Sequence, residues 1–229
     1  GVDYTHPDLG GCFGENNISS GCKVIGGYDF YNNDNDPKDD HSHGTHVAGI
    51  IAANGSIRGV APDARIVALK ALNAGGSGSE VEIIKAMSWC IGNASKFNIK
   101  VISMSLGDNY NYTTYCDDLY YPITDYVNQA HAKNISVVIA AGNTGNYTGI
   151  SGPACISKAI PVGASTKSDT IGSYSQRNSM VQIIAPGSEI VSSVLSGASG
   201  SKTGTSMATP HVAGAIAIIT GFLELTQRT

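Results

Sequence analysis

The sequence predicts an α/β fold: a doubly wound, mostly parallel central sheet with helices on both faces. Three observations predict it. Short runs that are apolar on both faces alternate with segments of helical spacing, which is the pattern of strands buried between helix layers. Several of these runs end in Gly, Ser or Asn, which gathers small polar groups along one rim of such a sheet. Glycine is abundant, at 28 residues, while charged residues make up only 14%, so tight turns and close backbone approaches are expected.

In chain order, KVIGGYDF (23–30) is the first predicted strand, and THVAGIIAA (45–53) follows as a helix. RIVALKAL (65–72) is a strand with apolar residues facing both ways. SEVEIIKAMSWCI (79–91) carries its apolar residues at helical spacing. KVISMSLG (100–107) is a strand ending on Ser105-Leu106-Gly107, and YYPITDYVNQAHA (120–132) is a helix. ISVVIAAGN (135–143) is a strand ending on Gly142-Asn143. KAIPVGAS (158–165) and VQIIAPGS (181–188) are two more strands. TSMATPHVAGAIAIITGFLEL (205–225) closes the series as a helix. Neither repeats nor linkers interrupt the order, so residues 1–229 read as one domain.

The bulk numbers narrow the function classes. With 229 residues, 41% of them hydrophobic, the chain can bury one substantial core. Its net charge is -4, and without any Lys/Arg cluster a nucleic-acid partner is not expected. The longest apolar stretch, VAGAIAIITGFLEL, is too short to span a bilayer and reads as a buried helix, so no membrane partner is expected. Cys12 and Cys22 bracket a short loop, Cys116 and Cys155 sit in polar surroundings, and Cys90 lies in an apolar helical pattern. Two loop disulfides with one buried thiol, or five free thiols, both fit these spacings. Sequons stand at Asn17, Asn54, Asn93, Asn111, Asn134 and Asn146, and imply glycosylation only in a host that performs it.

Three stretches carry chemistry: DDHSHGTHVAGI, VVIAAGNTG and GTSMATPHVAG. His43 stands at a helix start on the rim. Ser206 opens an apolar helix, where free backbone N–H groups and the positive end of the helix dipole favour a developing oxyanion. Pro210 has no N–H to return to the Ser206 carbonyl, which loosens that first turn. Asn143 ends a strand with an amide able to donate to the same oxyanion. Each residue alone has an ordinary explanation: a serine at a helix start is usually a cap, and a histidine is usually packed or solvated. His41, His43 and His46 together suggest a metal, but no HExxH or cysteine partner supports zinc.

Taken together and in order, HGTHVAG, AAGN and GTSMATPHVAG resemble the subtilisin-like serine peptidases. HPDL, RGVAPDARIVALKAL and SMSLG extend the resemblance from Gly1 to about Gly221. It implies a serine endopeptidase with Ser206 as nucleophile and His43 as general base. The oxyanion hole would be made by Asn143 and the Ser206 N–H. It further implies that Gly76-Ser77-Gly78 and Ser105-Leu106-Gly107 pair with an extended polypeptide substrate as an added strand. Ala140, Ala141 and Gly142 would line one side of the pocket for the residue before the cut, and Ser151, Gly152 and Pro153 the other. An inhibitory pro-segment in the precursor, a secreted location and a monomer are implied as well. So are the pairings Cys12–Cys22 and Cys116–Cys155.

The resemblance also places the triad's acid. The family motif Asp-Thr/Ser-Gly-x-Asp matches from Gly1 onward, so the catalytic Asp is expected two residues ahead of Gly1. The chain is then expected to be a fragment, cut at both ends and nearly inactive by itself. Asp3 matches the motif's second Asp, and would stand about 13 Å away along an extended strand. Asp29, Asp34 and Asp36, in the turn-rich stretch before His43, resemble a calcium loop of thermitase-like members. A structural Ca²⁺ is therefore expected, and no organic cofactor. The solvated acidic loop is the alternative.

Two other functions compete. A non-catalytic relative that binds extended peptides would need none of His43, Asn143 and Ser206 together. An esterase of the α/β-hydrolase type would place its histidine after the serine. Only His211 follows, five residues along the same helix.

Overall fold

A computed structural model describes residues 1–226, and its elements follow the predicted order. The chain divides into two compact units, residues 1–98 with 191–200 and residues 99–190 with 201 onward.

In the first unit, strand β1 (Val24–Asp29) pairs in parallel with β2 (Ile66–Lys70), with Asp29 opposite Lys70. Helix α1 (His43–Ala52) lies between them in sequence. Val2, Leu9, Val24, Ala48 and Ala68 make a buried cluster that Tyr4, Phe13 and Ile66 extend. Helix α2 (Glu80–Gly92) starts on a capping box. The Ser79 hydroxyl accepts from Val81 N–H, and Ser79 N–H donates to the Glu82 carboxylate. The turn α3 (Ala94–Phe97) follows, and its separate existence was not foreseen from the sequence. Cys90 is buried in α2, and burial pushes its thiol up to about 12, so it stays protonated and inert.

The second unit holds a four-stranded parallel sheet in the order β3 (Val101–Met104), β4 (Ser136–Ala140), β5 (Ile160–Ser165) and β6 (Ile183–Pro186). Helix α4 (Tyr121–Ala132) connects β3 to β4 and buries Ile123, Val127 and Ala130. The core joins Val138, Val162, Ala164 and Ala185 of the sheet to Ala208 and Val212 of helix α5 (Thr205–Thr226). That helix runs 22 residues, long and apolar enough by composition to cross a membrane. Its buried positions fall between Thr205 and Gly214, where it packs on the sheet as a core helix does. Ile218, Ile219, Phe222, Leu223 and Leu225 beyond are half exposed or more, so the expectation of a buried helix holds for its first half only. Strands β7 (Ile190–Ser193) and β8 (Ser199–Lys202) form a small two-stranded sheet that the sequence pattern did not reveal, since Ser-Gly-Ser-Lys has little strand propensity.

The disulfides Cys12–Cys22 and Cys116–Cys155 are both present. The predicted α/β class, with parallel strands and intervening helices, is the one observed.

Candidate active site

Ser206 stands at the second position of α5, after Gly204-Thr205. Pro210 lies inside this helix. The carbonyl that Pro210 leaves without a helical partner accepts instead from the Ser105 hydroxyl at 2.8 Å. The orphan group of the loosened turn is thus satisfied by the end of β3. Ser105 was expected to flank a substrate, and its side chain is committed to this bond, so only its backbone remains to pair with one.

Asn143 follows β4 and is oriented by Thr205. Its Oδ1 accepts from Thr205 N–H at 2.8 Å and from the Thr205 hydroxyl at 3.0 Å. With the amide oxygen held this way, Nδ2 is the atom free to donate to a developing oxyanion. Thr205 is fully buried and also receives Gly142 N–H on its hydroxyl at 3.2 Å. Sequence reasoning passed over Thr205, although its place directly before Ser206 was a signal. Gly142 adopts a positive φ of 112°, and a Cβ there would collide with Gln176 Oε1 and Ser151 Oγ. Glycine is therefore required for this wall to close.

Ala141 N–H donates to the Val162 carbonyl, and its own carbonyl accepts from Ser151 N–H at 2.8 Å. Leu106 and Gly107 continue past β3, and Gly107 is exposed. His211 Nδ1 lies 2.8 Å from the Met207 carbonyl of its own helix. It is anchored there to the backbone of α5.

His43 opens α1 in the first unit. The start of that helix is held by Asp39, a residue the sequence reading did not single out. Its carboxylate accepts from the N–H groups of His41, Ser42 and Thr45 and from the Thr45 hydroxyl at 2.6 Å. Burial alone would raise its pKa, but the Thr45 and His41 hydrogen bonds outweigh that and hold it below the usual 3.8. A carboxyl depressed on folding stabilises the protein above about pH 4, and that contribution is lost as pH falls through the folded value. Asp39→Asn is therefore expected to cost about 1–3 kcal/mol at pH 7. It is also expected to flatten the fall in Tm between pH 5 and pH 2, read by thermal melts. Asp3 accepts from the N–H groups of Thr5 and Ser196, each at 3.2 Å. Gly76, Ser77 and Gly78 form an irregular segment after β2 in which Asn73 N–H and Oδ1 bond the backbone of Ser77. Ser77 and Gly78 are exposed.

The carboxylates of the expected calcium set are bonded within the chain. Asp29 Oδ2 faces the Lys70 ammonium at 3.2 Å, and both groups are almost fully buried. Asp29 also accepts from Tyr31 N–H, Asn32 N–H and the Asn32 amide. Asp34 Oδ1 accepts from Asp36 N–H, and Asp36 Oδ1 from Tyr4 Oη and Lys38 N–H. Each carboxylate thus accepts from donors of its own chain, and Asp29 in addition carries the Lys70 charge beside it. Among the described residues, no group of three His, Cys, Asp or Glu side chains is placed to hold a metal. Lys70→Met should therefore cost about 3–5 kcal/mol, by leaving Asp29 buried and unpaired. EDTA should shift Tm equally in the parent and in Asp29→Asn. An EDTA shift present in the parent and lost in Asp29→Asn would place calcium in this loop after all.

Comparison with known proteins agrees with this geometry. Residues 1–228 match the subtilase family of peptidases. The chain is 42% identical over 223 residues to the thermophilic serine proteinase of Bacillus sp. (strain AK1), covering 96% of this chain and 50% of that protein. It is 40% identical over 223 residues to thermitase of Thermoactinomyces vulgaris, covering 96% of this chain and 71% of that one. It is 40% identical over 226 residues to subtilisin E of Bacillus subtilis (strain 168), covering 96% and 53%. The chain thus spans about half the length of several curated relatives it matches. The crystal structure of a cold-adapted subtilisin-like serine proteinase superposes with a TM-score of 0.79 at 34% identity, over 96% of this chain and 72% of that one. The chain belongs to the subtilase family.

Proposed function

We propose that the protein is a secreted serine endopeptidase that cleaves extended polypeptides through an acyl-enzyme. The observation that carries this reading is the Thr205–Asn143 arrangement. A buried threonine fixes an exposed asparagine amide by its oxygen, immediately before a serine at a helix N-terminus. In this reading Ser206 Oγ attacks the scissile carbonyl carbon while His43 takes the hydroxyl proton. The resulting oxyanion is met by Asn143 Nδ2–H and Ser206 N–H. Collapse breaks the C–N bond, and His43 returns the proton to the leaving amine. Water then repeats the sequence on the acyl-enzyme. The triad's acid is assigned to a residue ahead of Gly1. Supporting this, the Gly1 carbonyl lies so close to Gly44 that a Cβ on Gly44 would collide with it, and Gly44 directly follows His43. Residues 1–229 are read as one peptidase domain, working as a monomer and made as a precursor with an inhibitory pro-segment. Backbone pairing along Gly76-Ser77-Gly78 and Ser105-Leu106-Gly107 favours broad sequence tolerance.

The test uses the full-length protein. A fluorophosphonate probe is expected to label Ser206, and casein to be cleaved far faster than short-chain esters. Tight binding of extended peptides with no labelling would instead support a non-catalytic relative that has lost its acid.

A further inference from the structure

Between β3 and α4 the chain runs through residues 108–120, and this loop is bound along its length to residues 150–155. Asp108 N–H donates to the Gly152 carbonyl at 2.9 Å, and Gly152 N–H donates back to Asp108 Oδ1 at 3.0 Å. Tyr112 and Ile150 exchange N–H···O bonds of 2.8 and 3.0 Å. Cys116 N–H donates to the Cys155 carbonyl, and the two residues are joined by a disulfide. At the inner end of this strap one carboxylate gathers four donors. Besides Gly152 N–H it receives Tyr110 N–H at 3.1 Å, the Tyr112 hydroxyl at 3.2 Å and the Tyr120 hydroxyl. The two phenols also touch each other at 3.1 Å. A Cβ on Gly152 would collide with the Tyr120 ring, so that ring is a fixed floor directly behind Gly152. Burial and the Asp108 bond both push the Tyr120 phenol well above its usual range, which keeps it a donor to the carboxylate.

Asp108 therefore stands where two segments meet. One is Ser105-Leu106-Gly107. The other is Ser151-Gly152, which is tied in turn to Ala141 by Ser151 N–H. Hydrogen bonds to an ionised acceptor are stronger than neutral ones, and four on one carboxylate leave Gly152 little freedom. We propose that Asp108 is a specificity-determining positioning residue, which through Gly152 sets the width of the slot receiving the substrate side chain before the cut. The residues that the family resemblance puts around that slot, Ala140, Ala141, Gly142, Ser151, Gly152 and Pro153, carry no charge, so uncharged side chains of different size probe its width. This inference rests on the serine-peptidase reading, since a slot matters to rate only if peptides are cleaved.

The test is a set of peptide anilides differing only in that residue, Phe, Leu or Ala, given to the full-length protein, Asp108→Ala, Asp108→Asn and Tyr120→Phe. In Asp108→Ala the Phe-to-Ala ratio of kcat/KM is expected to fall about tenfold, mainly through KM. Asp108→Asn keeps an acceptor for Gly152 N–H and should restore most of the ratio. Tyr120→Phe removes a single donor and should lower the ratio a few-fold, which covers the case where Asp108→Ala does not fold. A merely structural role would lower Tm and leave the ratio alone. Fluorophosphonate labelling of the parent separates the failures. No labelling overturns the peptidase reading and this inference with it. Labelling with an unchanged ratio in Tyr120→Phe and whichever Asp108 variants fold overturns this inference alone.

Discussion

Ser206→Ala is expected to lower kcat for a peptide substrate about a million-fold, with KM changed little and fluorophosphonate labelling abolished. The magnitude is the one known for subtilisin, carried over to this relative. The physical basis is the loss of the covalent step: without Oγ, water must attack the carbonyl directly, aided only by binding and by the oxyanion donors. The variant should fold normally, because it is the Ser206 carbonyl, not its hydroxyl, that receives the Ser105 bond closing the first turn of α5. An unchanged near-UV spectrum and Tm would confirm this. Retention of more than about one hundredth of the parent kcat would sink the assignment of Ser206 as nucleophile.

Asn143→Leu is expected to lower kcat by about two to three orders of magnitude with little effect on KM, again by the figure known for subtilisin. The donor acts on charge that exists only in the transition state, so ground-state binding should hardly register its loss. The geometry adds a second arm. Thr205 holds the Asn143 oxygen through both N–H and Oγ, so Thr205→Val keeps one of the two bonds and the side-chain volume. It should lower kcat roughly tenfold, and Thr205→Ser should recover it. Steady-state kinetics on one anilide substrate would decide. A fall in KM-dependent binding with kcat intact would show that Asn143 contacts the substrate in its ground state instead.

Much of this protein was legible in its residues. The alternation of doubly apolar runs with helical spacing suffices for α/β, because only strands buried between helices dispense with a polar face. The order of HGTHVAG, AAGN and GTSMATPHVAG suffices for the family, because each motif needs its own backbone conformation around its functional residue. Pro210 announced an unsatisfied carbonyl four residues earlier, since a missing N–H can be read directly from the chain. What the residues did not announce is which group answers it. Ser105 is 101 positions away from Ser206 and could be matched to it only once β3 and α5 were packed.

The same limit explains the other differences. Asp29, Asp34 and Asp36 read locally as a cation loop, because alternating oxygens in a turn suit calcium. The parallel pairing of β1 with β2 brings Lys70 opposite Asp29, an ion pair that the local pattern did not reveal. Asp39 is one acid among several in its segment, and its burial under four donors follows from the path of the chain around α1. The sequence by itself determined the fold class and the family, and it singled out the residues proposed as nucleophile, base and oxyanion donor. The tertiary structure alone decided which side chains hold them in place. Motif chemistry is written in neighbouring residues, whereas a hydrogen bond or ion pair between distant residues exists only after the intervening chain has folded.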